Sequence, residues 1–144
     1  MANYSVNINE EIAELRGQFP NVDRSDFYEL DNGNIGVIVN IDTTGSYSKG
    51  LFEVMIEYPP GYPNSPPKAW VMSPEVDGGC GHIYNFDENG HANICFTGDR
   101  NWSPEYTSYD AAAMVKSWIF GYCKWEQTGE WGWNEAGFID YLLE

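Results

Sequence analysis

Hydrophobic and polar positions along the chain switch from helical spacing to strand spacing and back. Between Asn7 and Arg16 the apolar residues Ile8, Ile12 and Leu15, continued by Phe19, recur every three or four positions, which predicts a short amphipathic helix. Asn9 followed by Glu10 and Glu11 offers a cap and an acidic first turn, favoured at the positive end of a helix dipole, and Gly17 with Pro20 stops the run. Asp26 to Leu30 then reads as a brief strand. Asp31-Asn32-Gly33-Asn34 reads as a hairpin turn, because Asn and Gly tolerate positive φ. Ile35 to Ile41 is β-branched and apolar, a second strand, and Thr43 to Gly50 is a turn-rich connection. Leu51 to Tyr58 sets Phe52, Val54, Ile56 and Tyr58 against Leu51, Glu53, Met55 and Glu57, the alternation of a strand with one apolar face. Ala69 to Met72 predicts a short fourth strand. Helical spacing returns with Ala111, Val115, Trp118, Tyr122 and Trp125, preceded by start signals at Ser103-Pro104 and Thr107-Ser108 and closed by Gly129. Asn134 is expected to cap a last short helix carrying Phe138, Tyr141 and Leu142.

This order predicts an α+β fold: an N-terminal helix, a four-stranded antiparallel meander, an active-site loop and a long C-terminal helix. The 144 residues contain no internal repeat, linker or low-complexity tract, so residues 1–144 are expected to form one domain. Two stretches have no period. Tyr58 to Pro67 holds five prolines, which excludes a helix or a central strand and predicts a rigid surface loop. His82 to Trp102 is dense in turn formers and holds both histidines of the chain and Cys95. A loop between a sheet and a helix is a common place for chemistry, since the regular elements fix the backbone that the loop displays.

Charge narrows the partners. Twenty-two acidic against seven basic side chains leave a net charge of −15, a field that repels nucleic-acid phosphates and anionic lipid heads. Neither nucleic acid nor a membrane is expected as a partner; a protein partner is easier to accommodate. Three cysteines, with no apolar leader and no run of membrane-spanning length, fit free thiols in a reducing cytoplasm.

Three readings compete for Cys95. A buried structural thiol is the commonest fate of a free cysteine. Metal binding is a second: Cys80, His82, His91 and Cys95 are the ligand types zinc accepts, though their spacing of C-x-H and H-x-x-x-C lacks the usual C-x-x-C knuckle. The third is a nucleophile. A strongly acidic field disfavours a thiolate, which argues against a hydrolase that needs a highly activated sulfur. It suits a transferase that exchanges one thioester for another, because that step is nearly isoenergetic. Such a site needs mainly a groove, an oxyanion donor and a partner that delivers the acyl group.

The third reading gains from three motifs in order. Tyr58-Pro59-x-x-Tyr62-Pro63-x-x-Pro66-Pro67, then Asn89-Gly90 before Ile94-Cys95, then Trp102-Ser103-Pro104 ahead of a long helix, resemble the signatures of ubiquitin-conjugating enzymes, over about Ile8 to Trp125. The resemblance implies a ubiquitin-conjugating-enzyme-like fold and a thioester on Cys95, with Trp102 and the proline segment shaping the surroundings. No cofactor and no metal are expected. The chain departs from the family's His-Pro-Asn turn. Here that turn is His82-Ile83-Tyr84, so the asparagine is missing, and His82 stands thirteen residues before Cys95, farther than is usual. Asn85, Asn89 and Asn93 are the candidates to stand in, and His82 is read as a loop-fixing hydrogen bonder. The first helix also lacks the basic face with which eukaryotic members meet their activating enzyme.

These departures, together with Trp118 and Trp125-x-x-Thr128-Gly129-x-Trp131, look like the conjugating-type proteins of cyclic-oligonucleotide antiphage (CBASS) operons, in the stand-alone form. The implied partner is a cGAS-like nucleotidyltransferase, whose C-terminus would pass through Cys95, with an activating enzyme as a further candidate partner. Two alternatives remain: the conjugating enzyme of a bacterial ubiquitin-like operon, and a non-catalytic binding module on the same fold. Of the remaining residues, Cys123 is expected to pack on the helix, Cys80 to be an exposed loop thiol, and His91 to be solvated in a turn. Trp125 is expected in the core, while Trp131 and Trp133 are candidates either for the core or for docking a partner.

Overall fold

A computed structural model describes residues 6–45, 47–97 and 102–131. The first helix, α1 (Ile8–Leu15), is capped by Asn7, whose side-chain oxygen accepts from the Glu10 amide, two residues earlier than the sequence pattern indicates. The cap stands two residues ahead because Ile8 already lies on the helix. Leu15 and, past the helix end, Phe19 reach the core.

The four expected strands are β1 (Phe27–Glu29), β2 (Ile35–Thr43), β3 (Gly50–Tyr58) and β4 (Lys68–Ser73), joined as an antiparallel meander. Gly33, at φ 87°, makes the β1–β2 turn, a conformation that costs a side-chain-bearing residue. The sheet does not stop at four strands. The stretch expected as a loop supplies β5 (Ile83–Phe86) and β6 (Ala92–Ile94), a hairpin that pairs with β4 through β6, giving the order β1-β2-β3-β4-β6-β5.

The second helix, α2 (Ser108–Thr128), starts at a capping box of Thr107 and Asp110 and ends at Gly129 in the left-handed region, φ 80°. It is buried well beyond a single stripe: Met114, Val115, Trp118, Ile119 and Tyr122 all lie within the core. They cover the sheet face that carries Val37, Val39, Phe52, Val54 and Ile56, and the Tyr122 ring meets Phe52 edge-on at 6.2 Å. Trp125, expected in the core, is partly buried against it.

Two buried carboxylates tie this frame together. Glu11 of α1 accepts from Tyr62 in the proline segment (2.8 Å) and from Ser108 at the start of α2 (2.5 Å), and Ser108 is in turn bonded to Tyr58. On the other face, Glu57 accepts from Asn32 and Asn34 in the β1–β2 turn, each at 2.8 Å, and from Trp70 of β4 at 3.0 Å. Among the described residues, no helix is long and apolar enough to cross a membrane. The expected helix after Asn134 and the role of Trp133 lie outside the described residues.

Candidate active site

Cys95 is the first residue after β6. Its three-residue strand holds Ala92, Asn93 and Ile94 buried, so the thiol emerges where the chain leaves the sheet. Two contacts lock that point. The Cys95 amide donates to the His82 carbonyl at 2.8 Å, and the indole of fully buried Trp118 donates to the same oxygen at 3.0 Å. His82 holds this geometry at φ 57°, a left-handed conformation uncommon for a residue with a side chain. Its ring lies 4.7 Å from that of Trp131, which also packs edge-on against Trp118. At His82 the main-chain carbonyl thus meets the chain on both sides, and the ring packs on Trp131. Trp131 lies partly buried against the core.

The other thiols differ from Cys95, which is half-exposed. Cys80, expected to be exposed between its glycines, is instead buried in a 3-10 turn, Gly78–Cys80, with its sulfur 3.0 Å from the Gly81 carbonyl. Burial pushes its pKa up to about 11, with the charge of Asp77 adding to the effect. Cys123 is packed on α2 as expected, and burial likewise pushes it up to about 11. Both thiols therefore stay protonated at neutral pH.

The four ligand types considered for zinc do not assemble. Cys80 is turned into its own loop, and His91, expected to be solvated, is bonded through Nδ1 to Asp87 at 2.8 Å across the tip of the β5–β6 hairpin. Among the described residues, no group of three or more His, Cys, Asp or Glu side chains is placed to hold a metal ion.

A cleft of about 230 Å³ opens next to Cys95, walled by Pro66 and Pro67, by Lys68, by Tyr84, Asn93 and Ile94 of the hairpin, and by Phe96 and Thr97. Trp102 braces the proline wall by donating from its indole to the Pro63 carbonyl at 2.7 Å, and it stands edge-on to Tyr106 at 5.2 Å. Of the asparagine candidates, Asn93 is buried and donates to Asn85 at 3.0 Å, so these two amides are tied to each other. Asn89 is exposed at the hairpin tip, where its main-chain amide donates to Asp87.

The residue that sequence reasoning passed over is Tyr84. Its phenol donates toward the Cys95 sulfur and accepts from Thr97. The hydrogen bond to Cys95 is the first cause that pushes the phenol up to about 12, followed by desolvation and the charge of Cys95. The available signal was its position two residues after His82, where the conjugating-enzyme pattern has asparagine.

Residues 11–137 match the family model described as Type II CBASS E2 protein. The chain belongs to that family. Membership makes it a conjugating-type protein of CBASS, in agreement with the resemblance carried by the proline segment and by the residues around Cys95. Comparison with curated proteins gives no match. Among solved structures, human ubiquitin-conjugating enzyme E2 G1 matches at 20% identity and a TM-score of 0.42, over 81% of this chain and 90% of that one. A likeness that loose says nothing about activity. Within the Type II CBASS E2 family assignment, the arrangement around Cys95 offers one accessible thiol, a neighbouring cleft and a phenol donor.

Proposed function

We propose that this protein is a cysteine acyltransferase that takes a protein C-terminus as a thioester on Cys95 and passes it to an amine. The observation that supports the reading is the contrast among the thiols: Cys80 and Cys123 are buried, and Cys95 stands half-exposed where the hairpin meets the cleft. In this reading residues 1–144 act as one unit. His82 and Trp102 hold the walls, and Asn93 anchors the hairpin from within. The partner is the cGAS-like nucleotidyltransferase of the CBASS operon, whose C-terminus is the acyl group, primed for antiphage defence. An activating enzyme supplies the first thioester where the partner does not arrive activated.

The test mixes the protein with a cGAS-like nucleotidyltransferase of a CBASS operon and follows adducts on non-reducing gels. Wild type gives an adduct cleaved by thiol. Cys95→Ser gives a thiol-resistant adduct or none, and Cys95→Ala gives none. An adduct that persists in Cys95→Ala sinks the assignment.

A further inference from the structure

The thioester reading leaves one requirement without an owner. When an amine attacks a thioester, negative charge gathers on the carbonyl oxygen, and a positioned donor at that oxygen is worth a large factor in rate. In the hairpin Asn93 turns its side-chain N–H to the Asn85 oxygen, and the Cys95 amide is committed to the His82 carbonyl.

Tyr84 is placed differently. The β5–β6 register steps from the Ile83–Ile94 pair to the Asn85–Asn93 pair, two residues on one strand against one on the other, so Tyr84 is the extra residue of a bulge. A bulge re-aims a side chain relative to a regular strand. Here the phenol lines the cleft and is hydrogen-bonded to Cys95 and Thr97, while the residue stays 67% exposed to solvent. Its raised pKa keeps the proton on the phenol at neutral pH, so the group is a lasting donor and not a base.

We infer that Tyr84 is a catalytic residue of the thioester site, donating a hydrogen bond to the Cys95 sulfur at rest and to the acyl oxygen as the thioester is consumed. The inference rests on the Cys95 reading. In the step, the amine nitrogen bonds to the acyl carbon and the carbonyl π pair moves to oxygen, where the Tyr84 hydroxyl meets it. The oxyanion then reforms the carbonyl and the C–S bond breaks, leaving the Cys95 thiolate. Water takes the proton from nitrogen and returns one to sulfur. Tyr84 loses none.

The experiment uses the full chain, the benzyl thioester of acetyl-glycyl-glycine as acyl probe and free lysine as acceptor, followed by intact-mass spectrometry. The wild-type protein gains one acyl group on Cys95 and loses it to lysine. Tyr84→Phe keeps the ring and the fold; it charges more slowly, and once charged by longer incubation it discharges about 10- to 100-fold more slowly than wild type. Hydrolysis of its thioester slows by the same factor, because both reactions pass through the same oxyanion, whereas a defect in acceptor docking would slow aminolysis alone. Thr97→Val, which removes the hydrogen bond to the phenol, slows discharge by about 2- to 5-fold. If charged Tyr84→Phe discharges at the wild-type rate, the Tyr84 inference is overturned and the Cys95 reading stands. If Cys95→Ala still takes up the acyl group, or wild type takes up none, both fall.

Discussion

Strands β2 and β3 pair over nine residues without a slip, whereas β5 and β6 pair at three positions and slip once. In the long pair, Phe52, Val54, Ile56 and Tyr58 are almost wholly excluded from water and carry the weight of α2. In the short pair, Tyr84, Asn85 and Phe86 face outward, and the hairpin is held by what it borrows: a carbonyl shared with Trp118, an amide pair and one edge of β4. One end of the sheet is frame and the other is instrument. Regular pairing fixes position at the cost of leaving nothing free to react; irregular pairing frees side chains and relies on neighbours for position.

Mutations test that division. The largest effect is expected in the frame, where Phe52→Ala empties a fully buried site and costs about 3–5 kcal/mol, read as a drop in the urea midpoint with unchanged m-value. A loss below about 1 kcal/mol would erase the distinction between the two ends.

A middling effect is expected at Glu57. Burial alone would raise its pKa, but hydrogen bonds from Asn34, Asn32 and Trp70 outweigh it and hold the carboxylate below its ordinary value. The folded state therefore prefers the ionised form. That stabilisation is present above the unfolded value near 4.5 and is lost as pH falls through the lowered folded value. Glu57→Gln should cost about 1–3 kcal/mol at pH 7 and progressively less at acid pH. A cost that does not shrink on acidification would show that shape, and not charge, matters there.

The smallest effect belongs to the hairpin tip. Asn89→Ala should change stability by less than about 0.5 kcal/mol and leave Cys95 discharge unchanged. Slower discharge in that variant would return Asn89 to the list of oxyanion donors.

The same contrast governs what could be read from the sequence. The alternation from Leu51 to Tyr58 is long enough to declare its period, and the stripe from Ala111 to Trp125 spans four turns, so meander and helix were both legible. Strands of three and four residues do not declare a period. Ile83 to Phe86 and Ala92 to Ile94 are interrupted by the polar run from Asp87 to His91, and only pairing with β4 makes them strands. Cys80 misled because flanking glycines suggest an open loop, while its burial comes from the tertiary fold. Asn7 and not Asn9 caps α1 because a two-residue shift of a helix end is beyond what spacing resolves. The family was legible from the motifs around Cys95. Tyr84 was visible only as a missing asparagine, and the bulge at which it sits is one that no local pattern announces.

The oxygen of His82 has a consequence for how the interior reaches the surface. A carbonyl carries two lone pairs, and here both have donors, the Cys95 amide and the Trp118 indole. One oxygen thus joins the middle of α2 to the residue that carries the exposed thiol. A change at Trp118, buried in the core, is felt at Cys95 without any contact between the two side chains.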